Sequence, residues 1–315
     1  MVMNLLVFKE RLKSFYAKYE IYLTPLGKFL LAAASFLLIN QMIGYKDILK
    51  NPLVVIGLSI LCAFIPGSAI VFMAALYLLI HLYTISLEIT IIAAALMLLM
   101  FLLYYGIKPG NSIILILTPI AFAFKVPYVI PLCMGLTGSI SAIIPVSFGI
   151  IMYYLLSYVK QNLNQLASPG SVLEISRYSQ IIDSIIKNKM ILLLILAFSI
   201  TTIAVYILRR LKIDYAWSIA ICIGAIVEIS ILLIGDFVFA VSIPMGEFLF
   251  GMLASILIAF IIQFFVFAVD YTRTEYTQFE DDEYYYYVKA VPKIVVTTPQ
   301  VTVRRFTSKK KKNKG

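Results

Sequence analysis

Apolar residues follow one another along most of this chain in runs far longer than an amphipathic repeat, interrupted only by short polar or Pro/Gly breaks. A helix needs about 20 apolar residues to cross the hydrocarbon of a bilayer. By that measure the pattern predicts spans near 28–44, 68–84, 87–106, 139–159, 190–208, 215–235 and 246–268. Three shorter runs, 53–65, 111–124 and 126–137, are each bordered or interrupted by Pro or Gly and read as thin spans or half-helices. The predicted fold class is an all-α integral membrane protein. It is a polytopic bundle of about ten spans, or of eight if two short runs pair as a re-entrant hairpin.

Residues 1–27 depart from this pattern, mixing Lys9, Arg11, Lys13 and Lys18 with Leu, Phe and Tyr, and read as a basic amphipathic lead-in on the membrane surface. The apolar run beginning near Leu30 is longer than a signal-peptide core and no A-x-A site closes it, so it is expected to stay as the first span. The connection 160–189 separates a first membrane region, 28–159, from a second, 190–269. It holds a Ser171-x-x-Glu174 capping box followed by Ile175, Tyr178, Ile182 and Ile185 at helical spacing, the signature of an amphipathic interfacial helix. Such a helix serves either as a linker resting its apolar face or as a lid over a central cavity.

Composition sharpens this. At 62% hydrophobic and 13% charged, with a mean hydropathy of +0.97, the chain is neither a soluble monomer nor a disordered polymer. Net charge is +10, but ten Lys/Arg lie in the tail 270–315 and others in the N-terminal segment. The excess therefore reports topology and anionic lipid rather than nucleic acid, with Lys309–Lys312 placed to hold headgroups. Basic ends predict cytoplasmic N- and C-termini and hence an even number of crossings. Cys62, Cys133 and Cys222 lie inside apolar runs and read as small buried hydrophobes, not as disulfides or metal ligands.

Candidate chemistry is sparse. From Ile107 to Ile150 the chain carries Pro119, Pro127, Pro131, Gly135, Gly138 and Pro145 within apolar sequence, which predicts broken helices. Non-helical backbone at membrane depth must be buried in protein or line a cavity, although Pro and Gly also serve simple helix packing. Ala63-Phe-Ile-Pro66 and Ala142-Ile-Ile-Pro145 recur 79 residues apart, a faint parallel repeat. Glu228, deep in the 215–235 run, marks either a substrate or ion pathway or an acid hydrogen-bonded to a neighbouring helix. Lys125 is its potential partner, or else snorkels to the surface. His81 is expected at the membrane interface among Tyr77 and Tyr83.

Enzyme signatures are weak. One histidine cannot supply H-E-x-x-H, Gly135-Leu-Thr-Gly138 puts Thr137 where an intramembrane serine protease needs Ser, and no Walker loop occurs. No cofactor or metal is predicted.

The tail is more distinctive. Phe279 is followed by Glu280, Asp281, Asp282 and Glu283, then by Tyr284 to Tyr287 and Val288-Lys-Ala-Val-Pro292. Tyr and Val at this density favour a strand, with Pro292 and Pro299 confining it to edges. That strand is expected to dock on the protein's own helices, on a second copy or on a partner subunit, with Glu280, Asp281, Asp282, Glu283, Tyr284 and Tyr286 as contact residues.

Val269-Asp-Tyr-x-Arg-Thr-Glu275, the segment from Phe279 to Lys293, Ile213-Asp-Tyr-Ala-Trp217 and Leu233-Ile-Gly-Asp236 together resemble a group of polytopic membrane proteins of clostridial-type Gram-positive bacteria. The resemblance covers about the last third of the chain closely and the rest loosely. It implies a bacterial plasma-membrane protein with a functionally important tail and carries no activity, substrate or cofactor. The broken helices, repeat and Glu228 point to a transporter or permease-like protein. The tail points instead to a membrane scaffold that recruits partners, and an integral-membrane enzyme acting on lipid or cell-wall precursors is the third reading.

Overall fold

The computed structural model describes residues 2–107, 112–167, 174–267 and 274–292. Contacts divide the chain into one unit of Met1–Tyr19 with Ala268–Gly315 and a larger one, Glu20–Phe267. The first helix, α1 (Val2–Met42), leaves helical geometry at Tyr19, ahead of the boundary at 27 that the charge pattern suggests.

Beyond it follow α2 (Asp47–Lys50), α3 (Pro52–Ala63), α4 (Gly67–Ile85), α5 (Leu87–Ile107), α6 (Ile114–Ala123), α7 (Val129–Thr137) and a 3₁₀ turn at Ile140–Ala142. The chain continues through α8 (Ile143–Gln161), α9 (Leu163–Ala167), α10 (Glu174–Ile186), α11 (Lys189–Leu208), α12 (Ala216–Phe239) and α13 (Met245–Val266). The seven long apolar runs become α1, α4, α5, α8, α11, α12 and α13, and the three short runs become α3, α6 and α7. Among the described residues six helical stretches are long and apolar enough to cross a membrane: Val7–Met42, Gly67–Ile85, Ile140–Gln161, Lys189–Leu208, Ala216–Phe239 and Met245–Val266.

Local chemistry sets the boundaries. Asn51 caps α3 by accepting from the Leu53 amide at 3.0 Å, with Pro52 in the first helical position. Asn188 caps α11 in the same way through Met190 and Ile191. Pro131 and Pro145 sit in the first turns of α7 and α8, where no intrahelical hydrogen bond is lost, so of the prolines in this region only Pro119 interrupts a helix interior. The break between α6 and α7 comes from the turn. Lys125 adopts a left-handed φ of 60°, and the Val126 and Lys125 amides donate back to the Ala121 and Phe122 carbonyls, closing α6 as a Schellman motif usually built on glycine.

These two short helices form a hairpin. Thr118 packs on Gly149, and four residues further along each helix Phe122 stacks on Tyr153 with centroids 4.6 Å apart, so α6 and α8 run parallel. Helix α7 then returns. At its start the Lys125 carbonyl and Tyr128 ring lie against Gly251 near the head of α13; at its end Leu136 and Gly138 meet Arg209, at the foot of α11. Both open ends of the hairpin therefore lie on one face of the unit, where Gly67 meets Ile113, Lys28 Nζ donates to the Ile65 carbonyl at 3.0 Å and Trp217 stacks on Phe267.

Helix α10 packs against α5 and α8 through Ile181, which is fully buried, while Lys187 and Asp183 pair at 2.6 Å on its exposed side. Ser171 of the expected capping box lies outside the described residues, as does the side chain of Glu174.

Helices α7, α11, α12 and α13 pack closely because glycines line the contacts. A Cβ at Gly135 would sit 2.5 Å from Val205 Cβ, and one at Gly224 would collide with Val205 from the opposite side. Gly224→Val should therefore lower stability by about 1–3 kcal/mol, the usual cost of overpacking. Gly57→Ala, where a methyl meets nothing within 4 Å, should be close to neutral. Thermal unfolding of the purified protein in detergent checks the pair, and equal melting points would refute the packing argument.

Candidate functional site

The close packing of α11 on α12 fixes a register. Val205 lies opposite Gly224 and Leu193 opposite Gly235, an antiparallel alignment that places Thr201 level with Glu228. Both residues are wholly buried. Neither carboxylate oxygen of Glu228 nor Oγ1 of Thr201 has a hydrogen-bond partner among the described residues. Tyr128, at the turn into α7, is buried and within electrostatic range of Glu228. An ionised carboxylate left unpaired in such surroundings costs several kcal/mol. A proton or a cation would complete the site electrically.

Of the residues expected to share a pathway with Glu228, Gly135 lies in the same packed bundle, across Val205 from Gly224, while Lys125 and Pro145 are engaged elsewhere. Lys125 pairs with Glu247 at 2.5 Å, both side chains more than half exposed, and not with Glu228. Its backbone turns at the hairpin tip, which aims the ammonium at the head of α13. Gly135 and Gly138 lie in α7 and its C-terminal cap, where they allow close backbone approach and do not open space. Pro145 alone among them lines a cavity. That cavity, of about 370 Å³, lies among α1, α4, α5, α6 and α8, with Ser35, Phe72, Met97, Pro119, Pro145 and Phe148 on its wall. Glu228 is not on its wall. The hollow belongs to the α6 side of the hairpin, and glycine contacts fill the α7 side.

Arg209 is a residue that the sequence pattern does not single out. Its guanidinium donates to the Leu136 carbonyl and, at 2.7 Å, to the Gly138 carbonyl, capping the C-terminus of the half-helix α7. The Tyr206 ring lies 5.0 Å from the guanidinium carbon. Backbone carbonyls freed inside an apolar bundle need such a donor. The signal was present in Arg209-Arg210 following an apolar span, but nothing in the sequence says which carbonyls it reaches.

His81 packs against an aromatic ring, as expected, but is enclosed by protein. It is fully buried against Tyr77, at 5.0 Å between rings, and neither ring nitrogen has a hydrogen-bond partner among the described residues. Of the cysteines Cys62 is buried, Cys133 intermediate and Cys222 exposed, so the last is not the buried hydrophobe its apolar run suggested. No group of three His, Cys, Asp or Glu side chains converges as metal ligands among the described residues.

In the smaller unit the tail forms a hairpin of β1 (Glu275–Glu280) and β2 (Tyr285–Ala290), paired from Glu275↔Ala290 to Glu280↔Tyr285. The partner of the expected tyrosine strand is thus the segment just before it. Asp281, Asp282 and Glu283 supply the turn. Asp281 accepts from the Tyr286 hydroxyl at 2.8 Å and from the amides of Glu283 and Tyr284 at 3.0 and 2.6 Å. Tyr286 stacks on Phe279 at 4.9 Å. Glu280, Tyr284 and the rest of the turn are exposed. Lys309–Lys312 lie outside the described residues.

No protein-family model, curated protein or solved structure matches this chain. The apolar helices themselves define a predominantly helical membrane protein in contact with lipid.

Two predictions follow from these contacts. Arg209→Gln, which leaves one or both carbonyls of α7 unsatisfied, should cost about 1–3 kcal/mol, with Arg209→Lys in between. Thermal unfolding in detergent reads both, and an unchanged Arg209→Gln protein would remove the cap assignment. In the tail, the bond from Tyr286 and then the two amides hold the Asp281 carboxyl below its ordinary range, and the same bond holds the Tyr286 phenol above its own. Turn stability should be fully present above the ordinary aspartate value and decline as pH falls through the depressed one. At the alkaline end it should be present below the ordinary tyrosine value and decline as pH rises through the raised one. Amide exchange at Tyr284 reports this, and Asp281→Asn should flatten the acid limb.

Proposed function

We propose that this is a transporter or permease-like protein of a bacterial plasma membrane, carrying an apolar or amphipathic small molecule. The observation that carries the reading is the cavity of about 370 Å³ beside a hairpin of half-helices. Its volume falls in the range of small-molecule pockets, and its wall includes the two helices that contain Pro119 and Pro145. Eight crossings, α1, α3, α4, α5, α8, α11, α12 and α13, with α6–α7 re-entrant, support an even count and put Lys28 and Phe267 on one face. At about 1.5 Å per residue the ten residues of α6 rise only about 15 Å, half the hydrocarbon thickness. The basic composition of the two ends supports a cytoplasmic assignment for both termini. The sequence resemblance to clostridial-type membrane proteins supports the same compartment.

Filling the cavity tests the reading. In cells loaded with the lipophilic dye Nile red, expression of the protein should change the rate of dye loss or uptake, and Ala75→Trp, on the cavity wall, should remove most of that change at equal membrane abundance. Dye movement unaltered by expression, or unaltered by Ala75→Trp, would count against a carrier. A scaffold reading is favoured by one separate observation, the exposed acid-tyrosine hairpin at Glu275–Ala290. On that reading removal of residues 270–315 loses co-purifying proteins while the spans still insert, and unchanged pull-downs dismiss it.

A further inference from the structure

We propose that Glu228 and Thr201 together form a proton-binding site inside the α7, α11, α12, α13 bundle, separate from the cavity. Buried Ser and Thr hydroxyls in the helices of the larger unit otherwise follow one rule. Ser35, Ser59, Thr118, Thr202 and Ser255 each donate to the carbonyl four residues back, at 2.7–2.8 Å. Thr201, equally buried, makes no such bond, and it is the hydroxyl set opposite the buried acid by the Val205–Gly224 and Leu193–Gly235 contacts. A carboxylic acid at Glu228 carries the proton on one oxygen, and a side-chain rotation lets it donate to Thr201 Oγ1. The hydroxyl hydrogen of Thr201 is then free for the Ala197 carbonyl one turn back. A neutral acid and a hydroxyl satisfy each other without placing charge in the bundle, whereas a metal cation would need several more oxygens than these two side chains supply.

The surrounding groups leave this assignment unopposed. On the α7 side Tyr128 and Cys133 are neutral. On α13 Glu247 is engaged by Lys125, and Gln263 donates to Ser218. On α11 the charges, Lys189 and Arg209, lie at the two ends, with Arg209 committed to α7. Asp236, on α12 itself, accepts from the Ile243 amide. No Lys, Arg or His forms an ion pair with Glu228 among the described residues.

The inference rests on the carrier reading for the use made of the proton, not for the existence of the site. Infrared difference spectroscopy of the full-length protein in phosphatidylethanolamine/phosphatidylglycerol vesicles tests it. A protonated-carboxyl band is expected at neutral pH, lost in Glu228→Gln, shifted towards a free acid in Thr201→Val and restored in Thr201→Ser. Thr201→Ala gives the same readout should the valine variant not fold. Absence of the band at neutral pH, a band unmoved by loss of the hydroxyl, or its removal by sodium at constant pH would each overturn the proposal. Nile red movement blocked by Ala75→Trp without any such band leaves the carrier and sinks the site; the band without dye movement does the reverse.

Discussion

A half-helix that stops against an apolar bundle leaves carbonyls in need of donors, and the architecture here depends on answering them. Arg209 does so for α7. By donating to both Leu136 and Gly138 it turns the foot of α11 into the end-cap of a different helix. The half-helix can then end at the base of the hairpin without an orphaned backbone, and the chain is free to turn through Ile140–Ala142 into α8. At the other end, Lys125 closes α6 through left-handed geometry, so the hairpin satisfies its backbone from within at the tip and from a neighbour at the base.

Those two closures divide the larger unit into halves of different character. On the α7 side, Gly135, Gly224, Gly235 and Gly251 let backbones approach until side chains touch main chain. What remains buried there without a partner among the described residues is chemical, the Glu228 carboxylate, Thr201 Oγ1 and Gln263 Oε1. On the α6 side Phe72, Met97 and Phe148 lie on helices that do not close on one another, and a hollow results. The hairpin is thus the partition between a dense half and an open one. Pro119 faces the open half.

The apolar runs made most of the helical architecture legible, because length and hydropathy alone decide what can lie in lipid. All ten predicted runs correspond to helices, and the short ones were recognisable from Pro and Gly at their borders. What failed was lateral placement. Apolar runs this uniform carry almost no periodic signal to say which face meets which helix, so Lys125 was weighed against Glu228 when its partner is Glu247. His81 was placed at an interface when it is enclosed. Glu228 itself was visible as the one acid deep in the second membrane region, but Thr201 was not. Its significance lies in a missing bond, which no sequence displays. The tail was half legible: tyrosine density announced β2, whereas Glu275–Glu280, rich in polar residues, became a strand only because the acids after it make the turn.

The hairpin is also anchored unequally. Its base is held by a guanidinium bonded to buried carbonyls and by glycine contacts, forces that dissolved ions hardly touch. Its tip is held to α13 in part by an exposed ion pair, Lys125 to Glu247, whose attraction weakens as counterions gather within about 8 Å at physiological strength. Screening by dissolved ions therefore acts on one end of the partition alone. Brine loosens the tip while the base stays seated.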